Sequence, residues 1–505
     1  MNISCWQNPL PERSMTTHIS FSPATRRAVP WFVAASLAML LSSCSENTAP
    51  TGETLSVCHV AGVTGSLMDI RASELTDHRA HGDYVATIVV RRTNRRNGDG
   101  IHFARITDAI ASAREGRVSR GETTIAKCRI TIAVAPGVYS GSVVDSLGLG
   151  GEELPLTIDV PDITLLGSHV VQVDSKGRPI AAPGASAGTL ASTIVAYPGL
   201  VSIKTGSALD KYAEPLIVVN GHPAGSRGDG AVIEGFILQS GNEVMGGPVG
   251  GNAVWAMRSR DLVVRGNQIE SGFSEPVEMR ASVGRIERNV LIGRGGSCAL
   301  CIFGPGDYQV IANRQIGLSG RLSVLVFPAI FAAVPPNVEQ EPLPQTALVT
   351  ATITNNEFRD HQEVPFGIGV RVAAIGPGAP DVVGTARVMV QDNDLSNNRF
   401  AVVAEAGFVV ANTAQRGGIE LTLGRNILTA SCQTGLLVAF NSQATAVGSQ
   451  AGPSSRNSAY SIMLGDDIEW GDVWYSHPAG TGNTLTVDGQ PVVSGSRSAY
   501  NSKAC

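Results

Sequence analysis

Between Val232 and Phe440 one short pattern keeps returning: an alternating apolar run, then Asn or Gly, then an apolar residue two or three places on. It reads Val232-Ile233-Glu234-Gly235-Phe236-Ile237, then Leu262-Val263-Val264-Arg265-Gly266-Asn267-Gln268-Ile269. It comes back at Arg285 to Leu291 and Gln309 to Ile316, then around Asn355 to Phe358, Asn393 to Leu395 and Asn426 to Leu428. Asn267, Asn289 and Asn313 are spaced by 22 and 24 residues, and insertions stretch the later copies. Strands this short cannot bury a core alone, so a period in the twenties predicts coils stacked into a solenoid, each covering the next. A content of 57 Gly, 5% aromatic and 16% charged residues suits tight turns between buried strands and disfavours long helices. The expected class is all-β. The repeated Asn tolerate left-handed backbone and can stack their amides coil upon coil.

Charge narrows the partners. Lys occurs five times and Arg supplies nearly all positive charge, for a net charge of -5. No basic field is present to hold nucleic acid.

The stretch Val29 to Leu41, preceded by Arg26 and Arg27, is too short to span a bilayer but suits a secretory hydrophobic segment. It ends Leu41-Ser42-Ser43-Cys44, which resembles the lipobox of bacterial lipoproteins. That resemblance implies a signal peptide over 1–43, with Met15 a candidate true start, and a lipid on Cys44. It also implies a membrane partner through the anchor, and Ser45 in place of Asp points to the outer membrane. Residues 44–54 read as a tether. Beyond Cys5 and Cys44, six cysteines are left, an even number consistent with disulfides in an exported chain. Cys298-Ala299-Leu300-Cys301 has no second pair beside it, so a local disulfide or two packed thiols is expected there, not zinc.

Residues 55–230 read as a cap and first coils with long loops. Apolar positions 103, 106, 109, 110 and 113 fall on one helical face. Arg129 to Val134 then forms a strand ending in Pro136-Gly137-Val138-Tyr139, and Asp162-Ile163-Thr164-Leu165-Leu166-Gly167 another. This succession resembles the N-terminal cap of the pectin-lyase-like right-handed parallel β-helix superfamily. The resemblance covers residues 97 to 440 and implies a right-handed parallel β-helix with a short N-terminal capping helix. Such a helix would cover the otherwise open first coil. It specifies a fold and not a chemistry. Regular coils are expected over 231–441, and a loop followed by a closing coil or cap over 442–505.

Each coil carries a second strand, and side-chain alternation assigns its outward residues to two columns. One reads Trp255, Glu278, Cys301, Leu325, Gly369, Val403, Leu437; the other Met257, Arg280, Phe303, Phe327, Arg371, Glu405, Ala439. Glu278 neighbours Arg280, and Arg371 falls beside Glu405. In the superfamily this face holds a polysaccharide groove, so polysaccharide is the implied partner of what is expected to be a monomer. Trp255, Phe303, Arg371 and Glu405 are the candidate binding residues, because rings stack on sugars and Arg pairs with uronate carboxylates. Glu278 and Arg280 are the candidate catalytic pair. The apolar insertion Ala329 to Thr346 could instead lie over this face.

No family's catalytic signature is met, and no phosphate loop, HExxH or EF-hand spacing is present. No cofactor is expected. Calcium enters only for a lyase, with Glu270, Glu275 and Glu278 imitating its carboxylate cluster. Arg359-Asp360-His361-Gln362-Glu363 is the densest ionisable cluster in a coil loop; its residue types suit an acid–base pair, and a solvated loop accounts for them without one. Three functions stay open: an envelope protein that binds polysaccharide, a lyase or hydrolase with a divergent site at Glu278 and Arg280, and a structural or adhesive envelope protein.

Overall fold

The computed structural model describes residues 54–491, with breaks at 62–63, 93–100, 119–127, 142–150, 181–191, 196–214, 221–227, 240–250, 271–272, 274, 293–297, 317–321, 329–345, 362–366, 374–382, 406–417, 429–433, 440–441, 448–461, 465–466, 471–472, 477–483 and 488–489. Cys44, Cys432, Cys505 and residues 329–345 of the apolar insertion lie outside the described residues, as does the Glu405 side chain.

The chain is a right-handed parallel β-helix whose coils build sheets of fourteen, ten and seven strands. One coil shows the plan: Val254–Met257 joins the ten-stranded sheet, Leu262–Arg265 the fourteen-stranded and Gln268–Ile269 the seven-stranded. The next coil repeats it in parallel register, with Val254 opposite Val277, Val263 opposite Arg285 and Gln268 opposite Val290. Inward residues of successive coils, such as Val254, Val277, Leu300 and Val324, stack into one continuous apolar core. This stacking is what lets four-residue strands bury themselves.

The bend between the fourteen- and seven-stranded sheets explains the repeated Asn. Left-handed backbone is taken by the residue before each Asn, not by the Asn: Gly266 (φ 61°), Arg288 (54°), Ala312 (53°), Asn355 (58°), Asp392 (57°) and Arg425 (52°). That kink turns the next side chain inward, where Asn267, Asn289, Asn313, Asn356, Asn393 and Asn426 are all buried. From Asn267 to Asn393 each Nδ2 donates to the Oδ1 of the Asn one coil on, at 3.1, 3.0, 3.1, 2.9 and 3.0 Å along the series, and Asn426 Nδ2 donates to Val390 O at 2.7 Å. The same Oδ1 atoms accept the backbone N–H of the preceding Asn. A buried polar column is therefore fully paired, as burial demands.

The N-terminal end is closed as expected. Helix Ile106–Val118 buries Ile106, Ala109, Ile110 and Ala113. Buried Glu152 caps it from across the coil, accepting the Ile106 and Thr107 N–H groups at 2.9 Å each, where a carboxylate also meets the positive end of the helix dipole. Tyr139 of the Pro-Gly-Val-Tyr turn is buried and donates to Ala135 O at 3.0 Å.

Two features differ from the sequence expectation. Residues before the first coil form a three-stranded antiparallel sheet of Thr54–Ala61, Thr64–Arg71 and Tyr84–Val85, fastened to the first coil by a Cys58–Cys128 disulfide. At the other end, Ser442–Val447 is a strand, not a loop, pairing with Ile419 to Gly424. Its alternation is carried by Ala444 and Ala446, too small to register as an apolar stripe.

Candidate functional site

The ten-stranded sheet sets the candidate residues on Val254–Met257, Val277–Arg280, Cys298–Phe303, Leu322–Phe327, Ile368–Ala373 and Phe400–Glu405. Trp255, Glu278, Cys301 and Leu325 stand in one register column, and Met257, Arg280 and Phe303 in the next. At the following coil the alignment differs by two residues, and with Val403 and Leu437 the expected column resumes. Leu325 pairs with Arg371 and Arg371 with Val403, while Glu405 pairs with Ala373. Arg371 therefore joins the Trp255 column, and the expected Arg371–Glu405 adjacency is not formed. A two-residue slip keeps Ile368, Val370 and Val372 all inward, so apolar alternation alone cannot detect it.

The middle of this face is closed. Trp255 and Glu278 are each 2% exposed, Phe303 6% and Arg280 8%. Val218, Trp255 and Met257 form an apolar cluster of their own, separate from the solenoid core. Arg280 Nε donates to Glu278 Oε1, and Asn252 Nδ2 donates to Glu278 Oε2 at 2.9 Å. The Arg280 guanidinium lies 5.8 Å from the Trp255 ring centroid and 5.7 Å from that of Phe303, one ring on each neighbouring coil. Phe303 meets Phe327 edge to face at 6.4 Å. Desolvated charges of this kind hold only when paired and hydrogen-bonded, and here both carboxylate oxygens are engaged. The column opens further along, where Leu325 and Arg371 are half-buried neighbours.

The other sequence candidates do not converge on this pair. Glu270 follows the seven-stranded sheet and accepts from Gln268 Nε2 at 2.8 Å, away from Glu278 on the ten-stranded sheet. Arg359 Nε donates to Glu357 Oε1 at 2.8 Å. His361 was expected in a solvated loop and is instead buried; that burial pushes its imidazole down to about 4, against the opposing pull of Asp360 and Asn398. Cys298 and Cys301 are joined as a local disulfide. One cluster escaped the sequence reading altogether: His59, His78 and Asp83, the group of three metal-ligand side chains found among the described residues. His59 lies far from the other two in sequence, and only the His78 to Asp83 spacing offered a local signal.

No protein-family model matches the chain, and no curated protein does. Among solved structures it is similar to the A-module of the Azotobacter vinelandii mannuronan C-5 epimerase AlgE6, at 13% identity over 76% of this chain and 94% of that chain, TM-score 0.37. It is similar to the DFA-IIIase of Arthrobacter chlorophenolicus A6, at 13% identity over 81% and 97% of the two chains, TM-score 0.35. The bacteriophage CBA120 tailspike protein 3 matches at 10% identity over 86% and 63%, TM-score 0.31. Likenesses at this level carry no residue roles across; the chemistry rests on the side chains above.

Proposed function

We propose that this protein is exported, held at the outer membrane by a lipid on Cys44, and binds a uronate-containing polysaccharide along its coil face without catalysing a reaction. The observation that carries the non-catalytic reading is the enclosure of Glu278. A general acid or base must reach the proton it transfers, and this carboxylate reaches Arg280 and Asn252. Arg280, boxed between Trp255 and Phe303, serves the packing of the face. Recognition is assigned to the stretch where the column opens, at Leu325 and Arg371. An apolar side chain beside a guanidinium suits the apolar face of a sugar ring and its carboxylate. The two disulfides fit an oxidising compartment.

The test presents the purified chain with acidic and neutral polysaccharides and follows binding, unsaturated-uronate absorbance and new reducing ends together. Binding to a uronate polymer without product is expected, weakened about tenfold in Arg371→Ala by loss of a charge-assisted pair of roughly 1.4 kcal/mol. Product that disappears in Glu278→Gln would replace this reading with an enzyme. Absence of both binding and product would leave an envelope scaffold.

A further inference from the structure

At the opening of the chain, away from the coil face, ligand-type side chains from three segments meet. His59 lies on the Thr54–Ala61 strand, His78 on the short helix Leu75–Ala80, and Asp83 just ahead of the Tyr84–Val85 strand. His59 Nδ1 stands 2.9 Å and His78 Nδ1 2.6 Å from the same Asp83 Oδ2. Asp83 Oδ1 accepts the Val60 N–H at 2.9 Å, which fixes the plane of the carboxylate. One ligand atom from each residue lies within 4.8 Å of the other two.

The local fold explains the convergence. Val57 and Cys58 pair with Val85 and Tyr84, which brings Asp83 level with His59. Gly82 takes φ 94°, a backbone state that favours glycine, and the Asp83 N–H returns to His78 O at 2.9 Å. That turn brings Asp83 back to the helix. The Cys58–Cys128 disulfide anchors the residue beside His59. The Asp83 side chain is 1% exposed, whereas those of His59 and His78 are 44% and 22% exposed. The cluster is thus seated on a buried anion and open to solvent on its imidazole side. Burial by itself would raise the Asp83 carboxyl; hydrogen bonds from His59, Val60 N–H and His78 outweigh it and hold the group at about 2.

We infer that His59, His78 and Asp83 bind a divalent transition-metal ion of the zinc class, with at least one coordination position left for water or an outside ligand. Two imidazoles and a carboxylate form a borderline donor set that suits zinc-like ions, whereas calcium and magnesium take oxygen ligands. In a tetrahedral site, bonds of about 2.0–2.2 Å put neighbouring donor atoms roughly 3.3–3.6 Å apart, so the site opens by about 0.7–1 Å at His78 and by about half an ångström at His59. Each neutral imidazole then carries its proton on Nε2 and offers the Nδ1 lone pair. The Val60 N–H acts as the outer hydrogen bond that orients a metal-ligating carboxylate. Such an ion would clasp the antiparallel sheet to its helix, independently of any glycan at Arg371.

The test uses the full chain, stripped with a chelator and dialysed. Zinc is titrated in competition with a chromogenic chelator, and cobalt is followed by its visible absorption. One ion bound at this cluster is expected, with affinity at least about tenfold weaker in His59→Ala and in His78→Ala, and no cobalt band in the double variant. Zinc should raise the melting temperature of the wild type and leave that of the double variant unmoved, and excess calcium should not compete. Asp83→Ala strips the Val60 N–H of its partner, so Asp83→Asn is the informative change: it keeps an acceptor, removes the charge and should weaken zinc by a similar factor. Absence of zinc binding in the wild type, or full affinity in the double variant, overturns the inference and leaves a His–Asp–His hydrogen-bonded clasp.

Discussion

The fourteen-stranded and ten-stranded sheets both carry Arg–carboxylate pairs on their outward faces, yet the pairs differ in kind. On the fourteen-stranded side, Arg387 meets Glu420 on the next coil at 2.7 Å, and the adjoining bends pair Arg425 with Asp392 through two 2.7 Å bonds. All four of these side chains are well exposed. On the ten-stranded side, Glu278 and Arg280 are desolvated, boxed by rings and completed by Asn252. The exposed pairs sit in a medium that already solvates each charge, so they register neighbouring coils and add little stability. The enclosed pair has no such fallback: each member is the other's solvent. The same two residue types are decoration on one sheet and structure on the other.

The largest effect expected from that contrast is on Glu278→Ala. It leaves the Arg280 cation buried without its counter-charge and should lower unfolding free energy by about 3–5 kcal/mol in urea denaturation. A loss no greater than that of a surface change would show that the face opens in solution and would revive the catalytic pair. Acid should probe the interior next. The folded His361 imidazole is held near 4, below its ordinary value of 6.5. Below 6.5 the unfolded chain takes up a proton that the folded chain refuses. Stability from this group is therefore complete above that pH, falls from there down to about 4, and totals roughly 3 kcal/mol. His361→Gln should flatten that part of the pH–stability curve.

The Asn column gives the third test. Asn313→Ala strips partners from Asn289 N–H, Asn289 Nδ2 and Ile286 O. A cost of about 2–3 kcal/mol is expected, since each buried group left unpaired costs about 1 kcal/mol or more. The smallest effect belongs to Arg387→Ala on the open sheet, where the melting temperature should stay within measurement error at physiological salt. A clear loss there would erase the distinction between the two faces.

Much of this molecule could be read before its structure was known. Inward positions such as Val254, Ala256, Val277 and Met279 follow from period-two alternation, which any half-buried strand must obey. The capping helix announced itself through Ile106, Ala109, Ile110 and Ala113 at helical spacing. The Asn column was legible because its period is the coil's own, although the left-handed residue proved to be the one before each Asn. Each of these signals is local or strictly periodic, so a single chain displays it.

What only the tertiary structure decided is non-local. Alternation has period two, so it could not exclude the two-residue offset that puts Arg371 opposite Leu325 and Val403. Outward does not mean exposed, and burial of Trp255, Glu278 and Arg280 depends on neighbouring coils, not on their own strands. Glu152 finds the start of its helix 45 and 46 residues away. His59 reaches Asp83 because two antiparallel strands pair. Periodicity determines which way a side chain points; contacts between distant segments determine what it meets, and charge and chemistry are settled by that second choice.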